Sequence, residues 1–134
     1  MAIFPSLEWV NQLSDKLNSD ERYGQIARNW EGDLKFQLEP DERCQENLEI
    51  YLDLWHGKCR KGTFNDHATE VKPVFILSAP YKNFIQILEG ELDPMQAMLT
   101  RKLRVQGNLV YMMRNIPTVL DFVRCCRDVT DGTL

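Results

Sequence analysis

The spacing of the apolar residues changes along the chain, and these changes restrict the fold more than any other feature. Residues 7–17 carry apolar side chains at helical spacing behind Ser6, a good N-cap residue. A second helical stretch begins at Asn18 or Ser19 and is closed by Gly32. The first quarter of the chain is therefore predicted to be two helices.

The period then shortens to two, which is the period of a β-strand. Alternation over residues 34–38 and 48–54 predicts two strands, and a short third strand is expected near Cys59. Residues 62–72 are polar and predict a loop. Residues 74–79 are apolar throughout, which favours a central strand.

Helical spacing returns at residues 81–88, and the pair Asp93-Pro94 has the order of a cap residue and a first helical residue. Residues 103–106 alternate and predict a fifth strand, and residues 109–126 predict a final helix that Pro117 should kink or restart. The order of elements predicts an α+β fold with a five-stranded, mostly antiparallel sheet covered by helices.

Length and charge limit the classes of function. The 134 residues suffice for a single domain, which we expect to span residues 1–134. The net charge of -4 disfavours a nucleic-acid partner, because phosphate binding needs a basic face. Residues 1–72 hold nine basic and fourteen acidic side chains, whereas residues 73–134 hold seven basic and six acidic ones. An anionic partner is therefore expected at the C-terminal half.

The chain shows no pattern for membrane insertion or secretion. Its longest uncharged runs have nine residues, whereas about 20 are needed to cross a bilayer. No basic segment followed by an apolar stretch and a cleavage site stands at the start. The four cysteines show no disulfide framework. These features predict reduced thiols and a cytoplasmic location.

Few residues are candidates for catalysis or metal binding. Cys44, His56, Cys59 and His67 have suitable atoms for zinc, but their spacing fits no zinc finger or ribbon. A histidine could reach a cysteine through the fold, although no local motif supports nucleophilic catalysis. We expect no metal, no cofactor and no catalytic residue, and a thiol-dependent enzyme ranks below the alternatives that follow.

Four of the five methionines lie on predicted helix faces in the second half of the chain: Met95, Met98, Met112 and Met113. Methionine is flexible and polarisable, so such a lining can repack around apolar ligands of varied shape. Methionines at helical spacing are also common in an ordinary core. The spacing alone leaves both interpretations open.

A longer pattern adds to these observations. The run ILEGELDPMQAMLT at residues 87–100 is followed by KLRVQGNL at residues 102–109. Together with Trp30, Gly32 and the strand at 34–38, this succession resembles the sterol carrier protein type two family over residues 6–126. In that family a glycine often stands at the position of Arg101.

The resemblance implies an apolar tunnel between the sheet and the helices that takes sterols, fatty acyl chains or isoprenoid-like lipids, without catalysis by the domain and without a cofactor. Mapped onto this sequence, the tunnel wall would include ten residues: Phe84, Leu88, Met95, Met98, Leu99, Leu103, Val105, Met112, Met113 and Ile116.

The leading hypothesis is a carrier that encloses one lipid-like molecule. The alternative is a protein-interaction or dimerisation module on the same fold that assists a lipid-metabolising enzyme, with a homodimer or an enzyme as partner. Arg101, Lys102 and Arg104 are expected near one edge of the tunnel. There they would either contact an anionic membrane or form a solvated turn.

Overall fold

The computed structural model describes residues 2–66 and 72–133 as two sheets and six helices. The element order is close to the predicted one, with short strands added at both ends. The elements are β1 (Ala2–Phe4), α1 (Leu7–Ser19), α2 (Glu21–Ile26), β2 (Leu34–Glu39), β3 (Leu48–Trp55), β4 (Lys58–Phe64), β5 (Phe75–Pro80), α3 (Tyr81–Leu88), α4 (Pro94–Leu99), β6 (Arg104–Gln106), α5 (Leu109–Arg114), α6 (Ile116–Val129) and β7 (Thr130–Thr133).

The main sheet has five strands in the order β4-β3-β2-β5-β6. Strands β2 and β5 are parallel, and the other three pairs are antiparallel. The predicted α+β class and the mostly antiparallel sheet are therefore confirmed. The prediction that residues 74–79 form the central strand is corrected, because β2 holds the centre and β5 lies beside it. Residues alternate between buried and half-buried along β5, so the strand is not equally buried on its two faces.

The N-terminal helices begin at side-chain caps. The Ser6 hydroxyl accepts a hydrogen bond from the Trp9 amide at 3.0 Å, as predicted. The second helix is capped by Asp20, whose carboxylate accepts from the Tyr23 amide at 2.8 Å. The predicted caps Asn18 and Ser19 were therefore wrong by one or two residues, since both lie at the end of α1.

Helix α2 is shorter than the apolar spacing predicted. It ends at Ile26, and an irregular segment connects it to β2. The Trp30 indole nitrogen donates to the carbonyl oxygen of Gly32 at 2.8 Å within this segment. Gly32 therefore precedes the strand, and the prediction that it closes the helix was wrong.

The strands also differ in length and number from the prediction. Strand β4 runs to Phe64, so the predicted polar loop at residues 62–72 begins later than expected. His67 and the rest of residues 67–71 lie outside the described residues. Strands β1 and β7 form a small parallel sheet that the sequence did not indicate. The Trp9 indole donates to the Thr130 hydroxyl at 2.8 Å and connects this sheet to α1.

Pro117 restarts the last helix, as predicted. Helix α5 ends at Arg114, and α6 begins at Ile116 with the proline in its first turn, where the missing N–H costs little. The two helices are therefore free to take different directions, and α6 packs against α1 and α2.

Charged side chains hold α6 against the N-terminal helices. Arg124 of α6 donates to Asp20 at 2.7 Å and to the buried carboxylate of Asp121 at 2.8 Å. Lys16 of α1 completes the group at 3.2 Å from Asp20 and 3.4 Å from Asp128. The Arg124 guanidinium, together with the Tyr23 amide, holds the pKa of Asp20 well below its ordinary value.

This lowered pKa predicts a specific pH dependence. The Asp20 charge should make its full contribution to the free energy of unfolding above the ordinary carboxyl pKa of 3.8. This contribution should be lost as the pH falls through the lower pKa of the folded state. Asp20→Asn keeps an oxygen to cap α2 but removes the charge. It should lower the free energy of unfolding by about 1 kcal/mol at neutral pH, and Asp20→Ala by about 1–2 kcal/mol.

Urea unfolding between about pH 7 and pH 2.5 measures both effects. The difference between wild type and Asp20→Asn should shrink below about pH 4. A difference that stays constant over the whole range would show that the ion pairs do not contribute.

Candidate functional site

A cavity of about 90 Å³ lies between the sheet and the helices. Strands β2, β3 and β5 each contribute residues to its wall, as do all six helices. This is the position at which the resemblance implied a tunnel. At this volume the cavity does not hold a whole lipid in the conformation described.

Five of the ten proposed tunnel residues line this cavity. They are Phe84 and Leu88 of α3, Met98 of α4, Leu103, and Met112 of α5. The structure thus brings together residues from four segments of the second half of the chain. All but Leu88 are buried.

The other five proposed residues lie outside the cavity wall. Leu99 is 62% exposed, and Met95, Val105, Met113 and Ile116 are half-buried. Neighbouring residues of a helix point about 100° apart, so one methionine of a pair can face the cavity while the next residue faces away. The apolar pattern indicated the helix face but did not separate the two directions.

Aromatic residues from the first half of the chain also line the cavity, and they were not among the predicted wall residues. The wall includes Phe4, Trp9, Tyr23, Trp30 and Phe36. The alternation in β2 did place Phe36 on one face with Leu34 and Leu38, and that signal could have identified it.

Phe36 occupies a central position among these aromatic rings. Its ring contacts Phe84 edge-on with centroids 5.8 Å apart, and it stacks on Phe122 at 6.1 Å. Phe36 therefore connects strand β2 to α3 and α6.

Three polar side chains of the cavity wall are bonded within the protein. The indole nitrogens of Trp9 and Trp30 donate to Thr130 and Gly32, and the Thr118 hydroxyl donates to the carbonyl oxygen of Ile26 at 3.3 Å. No buried side-chain nitrogen or oxygen in residues 2–66 and 72–133 lacks a partner. The wall therefore suits hydrocarbon and offers little to a polar group.

The cavity approaches the surface near α3 and α6. Among the lining residues, Phe36, Leu88, Val119 and Val123 are half-buried. Val119 and Val123 are one turn apart on α6, and Leu88 is the last residue of α3. These residues mark the mouth of the cavity.

The volume limits what the present conformation can hold. A cavity of about 150 Å³ holds a molecule of the size of benzene, and this one is smaller. Helix α4 has only six residues and makes few contacts with other described elements. It is preceded by Gly90 and followed by Arg101, both at positive φ. It is thus the least constrained part of the wall.

Arg101, Lys102 and Arg104 are all exposed beside residues of the cavity wall. Arg101 has a φ of 62°, in the left-handed region that favours glycine. Arg104 forms a salt bridge with Glu39. Within the described ranges, Arg101 and Lys102 form no ion pair.

Two of the residues considered for metal binding, His56 and Cys59, have other partners. The Nε2 atom of His56 lies 2.5 Å from the Oε2 atom of Glu31, and the Cys59 thiol lies 3.5 Å from the carbonyl oxygen of Lys61. Among the described residues, Asp20, Asp121 and Cys125 have suitable spacing for a metal. Arg124 bonds both carboxylates of that group, so a metal ion would have to displace it.

The buried thiols are poor nucleophiles. Burial raises the pKa of Cys59 and Cys126, and it raises that of Cys125 to about 11. A thiol with a raised pKa has little thiolate at neutral pH. This chemistry disfavours a thiol-dependent enzyme.

No helix in residues 2–66 and 72–133 combines the length and the hydropathy that a bilayer crossing requires.

The chain is similar to a known family of lipid carriers. The model of the SCP-2 sterol transfer family matches residues 10–119. A crystal structure of sterol carrier protein 2 aligns with a TM-score of 0.84 at 27% identity, over 93% of this chain and 98% of that one. No curated protein sequence matches the chain.

Two further solved structures agree. The conserved hypothetical protein TT1886 from Thermus thermophilus, described as possibly a sterol carrier protein, aligns with a TM-score of 0.85 at 28% identity, over 98% of this chain and 92% of that one. The sterol carrier protein domain 2 of Helicoverpa armigera aligns with a TM-score of 0.61 at 19% identity, over 90% of this chain and 87% of that one. This likeness supports the fold alone. With the family model matching most of its length, the chain belongs to the SCP-2 sterol transfer family.

Proposed function

We propose that the protein is a non-catalytic carrier that encloses one apolar ligand, a sterol, a fatty acyl chain or an isoprenoid-like lipid, in the cavity between sheet and helices. The observation that supports this most directly is the wall of the cavity, which is almost entirely apolar. The whole chain would act as one lipid-binding domain. Its free cysteines suit a reducing compartment such as the cytoplasm.

Apolar burial supplies the affinity in this proposal. Each buried methylene contributes about 0.8 kcal/mol, so a long acyl chain gains about 10 kcal/mol before the costs of ordering and of opening the protein. The wall residues Met98 and Met112 can adapt to the ligand because methionine has three rotatable bonds.

The ligand must also enlarge the cavity. We assign this movement to α4, because it is the least constrained part of the wall and contributes Pro94 and Met98 to it. Outward movement of α4 would lengthen the cavity without breaking the five-stranded sheet.

The same region supports contact with an anionic membrane. Residues 94–120 hold four basic side chains and no acidic one, although the whole chain has a net charge of -4. The segment also exposes Leu99 and Val110, at 62% and 58%. Cations near an anionic surface contribute about 1 kcal/mol each. Arg101 and Lys102 are the stronger candidates, because Arg104 is paired with Glu39.

A charge in the cavity wall tests the proposed binding site. Met98→Glu should weaken binding of palmitate or a fluorescent sterol by at least about tenfold, because an ionised carboxylate in an apolar wall has no partner. Met98→Leu should change affinity by less than about twofold. Fluorescence titration measures both.

Met113→Glu is the matched control, because Met113 lies outside the wall and is next in sequence to Met112. This variant should bind the same lipids with nearly the affinity of wild type. If folded Met98→Glu keeps full affinity, the cavity is not the binding site. If wild type binds no lipid class with saturation, the interaction module becomes the better explanation.

Lipid transfer tests the membrane contact. The double variant Arg101→Gln/Lys102→Gln should slow transfer from anionic vesicles by about tenfold at low salt, and the difference should fade at about 1 M salt. Arg104→Gln should have little effect, because that charge is already paired. Binding in solution should not change.

Arg43→Gln/Lys61→Gln is the control for net charge, since both side chains are exposed on other parts of the surface. Equal slowing by the two double variants would show that overall charge acts, and not a defined contact surface.

A further inference from the structure

A guanidinium group lies beside the mouth of the cavity. Near the end of α6, Arg127 donates from Nε at 3.0 Å and from Nη2 at 2.8 Å to the carbonyl oxygen of Ile87 in α3. Ile87 lines the cavity, and so does Val123, which lies one helical turn before Arg127. The side chain thus bridges the two helices whose residues border the mouth.

One edge of this guanidinium remains available. Arginine has five N–H donors in a rigid planar group, and the two bonds to Ile87 use the edge formed by Nε and Nη2. Across residues 2–66 and 72–133, no carboxylate forms an ion pair with Arg127. The acidic residues that follow α3, Glu89 and Glu91, are exposed, and within these ranges neither forms an ion pair with Arg127. The edge formed by Nη1 and Nη2 can therefore bind a planar anion at two points.

The apolar wall determines where the polar end of a ligand must lie. A polar group inside the cavity would meet an almost entirely apolar wall, so only hydrocarbon should enter. The half-buried residues Val119 and Val123 precede Arg127 by two turns and one turn on the same face of α6. A chain leaving the cavity along this face brings its head group to the guanidinium.

We propose that Arg127 binds the anionic head group of a single-chain lipid, a carboxylate or a phosphate, whose hydrocarbon chain occupies the cavity. The site deepens the proposed carrier function and rests on it. Long-chain fatty acids and single-chain phosphate esters share the required chemistry. An uncharged lipid of the same length lacks it.

Arg127 also has a structural role that the test must separate. Its bonds to the Ile87 carbonyl at the C-terminal end of α3 add to the one that the Gly90 amide donates, and basic side chains often bond carbonyls at this end of a helix. A purely structural arginine would affect all ligands equally, because it would act through the shape of the cavity. A binding arginine affects only charged ones.

The experiment compares ligands that share one chain length and differ in the head group. Palmitate, hexadecyl phosphate and hexadecanol are titrated against wild type, Arg127→Met and Arg127→Lys below the concentration at which the lipids aggregate. Arg127→Met should raise the dissociation constant of palmitate or of hexadecyl phosphate by about tenfold. It should change that of hexadecanol by less than about twofold.

Arg127→Lys should retain part of the preference for the anion, because it keeps the charge but loses the planar fork. Arg28→Met is the matched control. Arg28 is an exposed arginine that also donates to a backbone carbonyl, that of Gln25 at 2.8 Å, and it does not line the cavity. This variant should bind all three ligands as wild type does. Thermal unfolding verifies that each variant is folded.

The outcomes separate this proposal from the carrier function. The anion that loses more affinity in Arg127→Met identifies the preferred head group, carboxylate or phosphate. Equal weakening of all three ligands, or no weakening of either anion, would overturn the assignment of Arg127 while leaving the carrier intact. If wild type binds none of the three ligands, the carrier function itself fails.

Discussion

The proposed function depends on one constraint: the helices do not pack completely against one face of the five-stranded sheet, and this leaves the cavity. Parallel pairing of β2 with β5 places Phe36 opposite Leu77 in register, and both line the cavity. Empty apolar volume costs about 24 cal/mol per Å³, so a cavity of 90 Å³ costs the folded protein about 2 kcal/mol. An apolar ligand would recover this cost, which gives a physical reason for lipid binding to stabilise the fold.

The polar interactions do not interrupt the apolar contact between the sheet and the helices. Arg124 joins α6 to Asp20 at the start of α2, and the wall indoles bond within the protein. Charge is thus excluded from the cavity. Arg101, Lys102 and Arg127 lie instead at the surface, where hydrocarbon and water would meet in the proposed complex.

Local patterns predicted the elements better than the site. Alternation identified β2 and β3, and the Asp93-Pro94 pair identified α4, because each signal is contained in a few neighbouring residues. Strands β1 and β7 were missed because they have three and four residues and pair across the whole chain. Met98 and Leu99 are neighbours with opposite exposure, and only the packing of α4 decides which one faces the cavity.

The central claim is that a lipid occupies this cavity, and NMR of ¹³C-labelled methionine methyl groups during a palmitate titration measures it most directly. The methyl signals of Met98 and Met112, which line the wall, should shift and saturate together at one ligand per protein. The signal of Met113, outside the wall, should shift least. Shifts confined to Met113 and Met95, with Met98 and Met112 unchanged at saturation, would contradict the account.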